Sequence, residues 1–159
     1  MSNHQKPRRA INEGPKSSVG QARYHLYGKT LNRIKDAMEV GYYLEAVTLV
    51  ESLIADRLEA RLALCHDQDE SKRKFSTLGK LAEELNGKRL AEPASIKPYY
   101  EDVIEWADRR NKALHELAKL PENSEKDWDE EYKGVKDTAE EGLKIFRNID
   151  QEIRNLNRY

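Results

Sequence analysis

Three polar residues near the middle of the chain have the types and spacing needed for phosphate chemistry. Arg110, Asn111 and His115 lie within the six-residue segment RNKALH. On a helix, Asn111 and His115 are an i, i+4 pair on one face, and Arg110 lies beside them. Histidine titrates near neutral pH and can transfer a proton, while the arginine guanidinium binds two phosphate oxygens at once. The segment is therefore suited to cleaving a phosphodiester without a metal ion.

Arg110 lies on the apolar stripe of its predicted helix, with Val103, Ala107 and Leu114. An unpaired guanidinium facing a core is costly, so we expect Arg110 to have a partner, a cleft or an interface. One interpretation is purely structural. Arg110 would pair with Glu51 or Asp56 of the second helix, and His115 would be a surface residue near a helix end, favoured there by the helix dipole.

Other chemical sites are not supported by the sequence. A single cysteine, Cys65, excludes an internal disulfide and a Cys-rich zinc site. Gly28-Lys29-Thr30 resembles the end of a phosphate-binding loop, but Arg23 stands where its first glycine should be. The acidic segment 67–71 lacks the glycine and the final glutamate of a calcium loop. The four histidines show no metal-ligand spacing, so we expect neither a metal nor a cofactor.

The composition is that of one charged domain. The 159 residues are 36% charged and 38% hydrophobic, with a net charge of −1. No run of about 18 apolar residues is present, and the first residues lack an apolar signal region, so we expect no membrane association and a cytoplasmic location. Charge is unevenly distributed, because residues 1–35 carry +7 and residues 121–141 carry −6. This polarity permits nucleic-acid binding at one end, although a solvated basic tail explains it equally.

Helical periodicity dominates the chain after a Pro-, Gly- and Ser-containing start. We predict a flexible basic arm over residues 1–19 and one helical domain over residues 20–159. Five apolar stripes step by three and four residues: Tyr24–Met38, Val47–Leu62, Leu78–Leu85, Val103–Leu117 and Trp128–Leu156. The sequence therefore predicts an all-α bundle of four to five helices. The last helix, at roughly 45 Å, is longer than such a bundle needs, which favours packing on a second subunit.

The motif and its helical context resemble one family. Arg110-Asn111-Lys112-Ala113-Leu114-His115 matches the Arg-Asn-x-x-x-His signature of the HEPN superfamily (higher eukaryotes and prokaryotes nucleotide-binding domain). In that family the motif lies on a late helix of an all-α bundle, after a long apolar second helix. A short helix similar to Leu78–Leu85 often lies between them. The resemblance covers roughly residues 24–157.

The resemblance implies a metal-independent RNA endonuclease that acts as a homodimer, with two copies of the motif lining one cleft. Such proteins often serve toxin–antitoxin, phage-defence or CRISPR-associated systems, and an antitoxin or nucleotidyltransferase-like partner is then expected. Arg110, Asn111 and His115 would be catalytic. Arg109 and Lys112 would contact RNA, and Glu51 is a candidate for supporting the site.

Two alternatives remain, because many members of that family are not catalytic. The first alternative is a non-catalytic helical module that binds RNA, a nucleotide or a protein partner through the same cleft, although the complete set of Arg110, Asn111 and His115 favours the enzyme. The second alternative is the inert structural half of a two-gene module.

Overall fold

The computed structural model describes residues 18–65, 76–117, 119 and 127–157, and these residues form helices and short connections without any strand. Five α-helices follow one another: α1 (Ser18–Val40), α2 (Tyr43–Cys65), α3 (Leu78–Asn86), α4 (Lys97–Glu116) and α5 (Trp128–Leu156). A short 3-10 turn, Lys88–Leu90, lies between α3 and α4. The prediction of an all-α bundle of four to five helices is confirmed. No helix among the described residues is long and apolar enough to cross a membrane.

Helix α2 is the centre of the bundle because apolar residues surround it on several sides. It packs on α1, α3 and α5, while α4 packs on α3 and α5. A single core joins all five helices, and its largest fully buried side chains are Trp106 and Tyr100 of α4. The wide stripe of α2 is consistent with this central position.

Helices α2 and α5 run side by side in the same direction. Near their N-terminal ends, the Tyr132 hydroxyl accepts a hydrogen bond from the Tyr43 backbone N–H at 3.1 Å. Near their C-terminal ends, Arg61 of α2 donates to the side chain of Asn157, the residue that follows α5, at 2.9 Å. The 29 residues of α5, about 43 Å long, lie beside the 23 residues of α2, which are about 34 Å long. The expectation that part of α5 packs on a second subunit stays a prediction.

A close contact between α4 and α5 fixes the position of the motif helix. The indole Nε1 of Trp106 donates to the backbone carbonyl of Thr138 at 2.8 Å. The Trp106 ring lies directly against Gly142, where an added Cβ would be 2.6 Å from Cε2 of the indole and 2.8 Å from Cγ1 of Val50. Only a glycine fits between α2, α4 and α5 at this point.

The helix ends follow local signals. Gly41, with φ of 85°, ends α1, and this left-handed conformation favours glycine. The Asp127 side chain caps α5 by accepting from the Asp129 backbone N–H at 3.0 Å. Pro98 lies in the first turn of α4, as expected. The sequence also predicts a break in the helical pattern at residues 66–71 and a helix stop at Pro121, and both lie outside the described residues.

Two predictions for the first helix are wrong. Helix α1 already begins at Ser18, so Ser18 and Val19 belong to the helix and not to the arm. The remaining arm residues, 1–17, lie outside the described residues. Tyr24, predicted to face the core, is 75% exposed, and Arg23 is buried in its place. The reason is a partner: Arg23 Nε donates to Asp56 of α2 at 2.8 Å, which compensates the buried charge.

Candidate functional site

Arg110 is held against α2 by one carboxylate. Its side chain is 16% exposed, and its NH2 group forms a short ion pair with Oε1 of Glu51. The buried Nε atom has no hydrogen-bond partner among the described residues. The structure thus gives Arg110 the partner that its place on an apolar stripe requires. Of the two candidates, that partner is Glu51, because Asp56 pairs with Arg23 instead.

Asn111 and His115 project from α4 into solvent. Both are exposed, and they lie one helical turn apart on the same face. Within the described part of the chain, neither side chain has a hydrogen-bond partner, so both are accessible to a ligand or a second molecule. Their exposure contrasts with Arg110, whose guanidinium is fixed beside them.

A groove of about 560 Å³ between α2, α3 and α4 contains part of the predicted site, and we call it the motif groove. Arg110, Asn111 and Glu51 line it, whereas His115 lies further along α4 and does not. The remaining charged lining residues are Glu59, Lys80, Glu83 and Asp108. Carboxylates therefore outnumber cations in the groove. The structure therefore brings Arg110, Asn111 and Glu51 together in one groove. His115 lies outside this groove, near the C-terminal end of α4.

The two cations predicted to contact RNA lie on the outer side of α4. Arg109 is exposed and ion-paired with Glu141 of α5 at 2.5 Å and with Glu105 at 3.6 Å. Lys112 is exposed. An RNA phosphate would have to compete with two carboxylates for Arg109, so its contribution to binding would be small.

Sequence reasoning missed a buried polar cluster around Glu92, which we call the Glu92 cluster. Arg61 donates to this carboxylate through Nε at 3.0 Å and NH2 at 2.8 Å. Tyr100 donates at 2.5 Å and the Cys65 thiol at 3.2 Å. Burial alone would raise the pKa of Glu92, but the hydrogen bonds from Arg61, Tyr100 and Cys65 outweigh it and leave this pKa below its ordinary value.

One feature of the sequence indicates that charged side chains are buried beside α2. Arg57 and Arg61 are four residues apart within the apolar stripe of α2, so at least one of them must enter the core side of that helix. Arg57 is indeed buried, paired with Asp150 of α5 and lying over the ring of Tyr27 at 4.9 Å. Both arginines tie α2 to its neighbours and are not part of the motif groove.

Comparisons of the chain with protein-family models, with curated proteins and with solved structures found no match. Among the described residues, no group of three or more His, Cys, Asp or Glu side chains could hold a metal ion. The motif and its geometry are therefore the basis for assigning a function.

Proposed function

We propose that this protein is a metal-independent RNA endonuclease of the HEPN type. The observation that carries the proposal is the arrangement on α4: Arg110 is fixed by Glu51, and Asn111 and His115 are exposed together on the adjoining face of the same helix. An anchored cation and an accessible histidine, about one and a half helical turns apart, supply charge stabilisation and proton transfer to an RNA bound along α4.

The chemistry follows from these groups. His115 takes the proton of a ribose 2′-hydroxyl, and the 2′-oxygen attacks the adjacent phosphorus. The bond from phosphorus to the 5′-oxygen breaks, which leaves a 2′,3′-cyclic phosphate and a 5′-hydroxyl. Arg110 binds the phosphate oxygens as their charge grows, and Asn111 orients the phosphate or the imidazole. A second acid must protonate the departing 5′-oxygen.

We expect a homodimer, because one motif supplies a single histidine while the reaction uses an acid and a base. In a two-fold dimer whose subunits meet at the exposed face of α4, one copy of His115 acts as the acid and the other as the base. Multi-angle light scattering at micromolar concentration should give twice the mass of one chain. A mass of one chain up to about 100 µM would exclude this arrangement.

Cleavage should persist without divalent metal ions. Incubation with total RNA in excess EDTA should yield fragments that end in a 2′,3′-cyclic phosphate, because Arg110 and His115 supply the charge and the proton transfer. End-group analysis by mass spectrometry identifies the product. Loss of cleavage in EDTA and its return with Mg²⁺ would contradict the proposal.

A non-catalytic binding module is the second candidate, and one specific observation favours it. The Glu51–Arg110 pair joins α2 to α4 and would stabilise the bundle without any reaction. In that case the motif groove would bind RNA, a nucleotide or a protein. An antitoxin or nucleotidyltransferase-like partner is compatible with either candidate.

A further inference from the structure

A second groove lies on the opposite side of α2 from the motif groove, between the first half of α1 and the last half of α5. We call it the α1–α5 groove. Its volume is about 630 Å³, within the usual range for sites that bind small organic molecules. It shares no lining residue with the motif groove. A ligand bound there would not touch Arg110, Asn111 or Glu51.

The groove is open because α1 carries small residues where it faces α5. Gly20 and Gly28 line it, and a Cβ added at Gly28 would have no atom within 4 Å. Helix α1 packs mainly on α2, so side chains of α1 do not close the space beside α5. The cavity is therefore a property of the helix packing, present before any ligand arrives.

Three aromatic rings line the groove: Tyr27 and Phe146 are buried at its base, and Tyr24 is exposed. The Tyr27 ring packs edge-on against Phe146 with centroids 5.4 Å apart. At the mouth, Tyr24 and His25 are in edge contact at 5.8 Å, and the Tyr24 ring is largely solvent-exposed although it lines the groove. Such surfaces favour a flat aromatic body that can stack on one ring or meet the edge of another.

Cations outnumber anions among the described residues along this groove. Arg23 and Arg57 are 7% and 5% exposed, and Arg154 of α5 joins them at the rim. Asp56 pairs with Arg23, and Asp150 pairs with both Arg57 and Arg154. Two carboxylates thus balance three guanidinium groups. The Nε atom of Arg57 is buried without a hydrogen-bond partner among the described residues, a feature that calls for an explanation in a buried cation.

We propose that the α1–α5 groove is a binding site for a small organic anion with a flat aromatic body. The anionic group lies toward Arg57 and Arg154, where positive charge is in excess, and the aromatic body lies against the exposed ring of Tyr24. This inference does not depend on RNA cleavage, because its residues belong to α1, α2 and α5 and not to the motif helix.

The test uses the full chain and two fluorescent probes of nearly the same apolar shape. 1-Anilinonaphthalene-8-sulfonate carries an anionic group, and N-phenyl-1-naphthylamine does not. We expect saturable 1:1 binding of the sulfonate, with at least about fivefold weaker binding of the neutral probe, since a hydrogen bond to a charged group is lost. We also expect 1-naphthyl phosphate or 2-naphthoate to displace the bound sulfonate probe. Displacement would show that the groove accepts a phosphate or a carboxylate group as well as a sulfonate.

Two variants and a matched control localise the binding. Tyr24→Ala and Arg154→Gln should each weaken sulfonate binding roughly five- to tenfold. Tyr42→Ala removes another exposed tyrosine, between α1 and α2 and outside the groove, and should leave binding unchanged. Equal melting temperatures exclude misfolding as the cause. The proposal is overturned by the absence of saturable binding, by equal binding of both probes, by failure of both competitors, or by equal effects of the three substitutions.

Discussion

Replacing His115 by alanine is expected to lower the rate of RNA cleavage by about 10²–10⁴-fold, the usual contribution of a general acid or base. The fold should survive, because His115 is exposed and has no side-chain partner among the described residues. Single-turnover cleavage of a labelled RNA measures the rate, and thermal unfolding measures stability. Asp102→Asn alters another exposed side chain of α4 and should preserve both quantities.

Substitutions of Arg110 separate catalysis from structure at the same site. Arg110→Lys keeps the charge but loses the planar fork, so cleavage should fall by about 10²-fold or more. Arg110→Ala should also lower the melting temperature by several degrees, because it leaves Glu51 without its cation. Full RNase activity in His115→Ala, with contaminating nucleases excluded, would remove the catalytic interpretation and favour the binding module.

Replacing Gly142 by alanine is expected to destabilise the protein by about 2 kcal/mol or more, since overpacking a core costs about 1–3 kcal/mol and sometimes more. The new methyl group would overlap the indole of Trp106, which is fully buried and held by its hydrogen bond to Thr138. In a chain of this length, about 1 kcal/mol corresponds to a shift of roughly 2–4 °C in melting temperature. Thermal unfolding of the purified variant measures the shift.

Gly134 provides the matched control in the same helix. A Cβ added there meets no atom within 4 Å, and the position is exposed. Gly134→Ala should therefore stabilise α5 by about 0.5–1 kcal/mol through helix propensity alone. If Gly142→Ala were as stable as Gly134→Ala, the close packing of α4 on α5 described above would be wrong.

The spacing of apolar residues was sufficient to predict the helical fold, because the buried face of each helix carries an apolar residue at every third or fourth position. The same spacing placed Tyr24 in the core, where the structure has Arg23. Periodicity treats arginine as polar and cannot detect that Asp56, 33 residues later, compensates its charge.

The place of the motif residues on a helix was predictable from the sequence, but the surroundings of these residues were not. The spacing of Arg110, Asn111 and His115 placed them on one side of a helix, and the stripe required a partner for Arg110. The choice between Glu51 and Asp56 as the partner of Arg110 depends on which face of α2 is turned toward α4, and the sequence does not specify this orientation. The Glu92 cluster was not predictable, because Glu92 lies outside the α-helices and carries no periodic signal.

The Glu92 cluster also determines how the chain's single thiol behaves toward oxidants and alkylating reagents. Burial, followed by the hydrogen bond to Glu92, raises the pKa of Cys65 to about 11. Only the thiolate is nucleophilic, so almost none of this cysteine is reactive at neutral pH. Reaction with maleimides or peroxide should therefore be slow while the thiol is hydrogen-bonded to Glu92. Faster modification would accompany separation of the C-terminal end of α2 from Glu92.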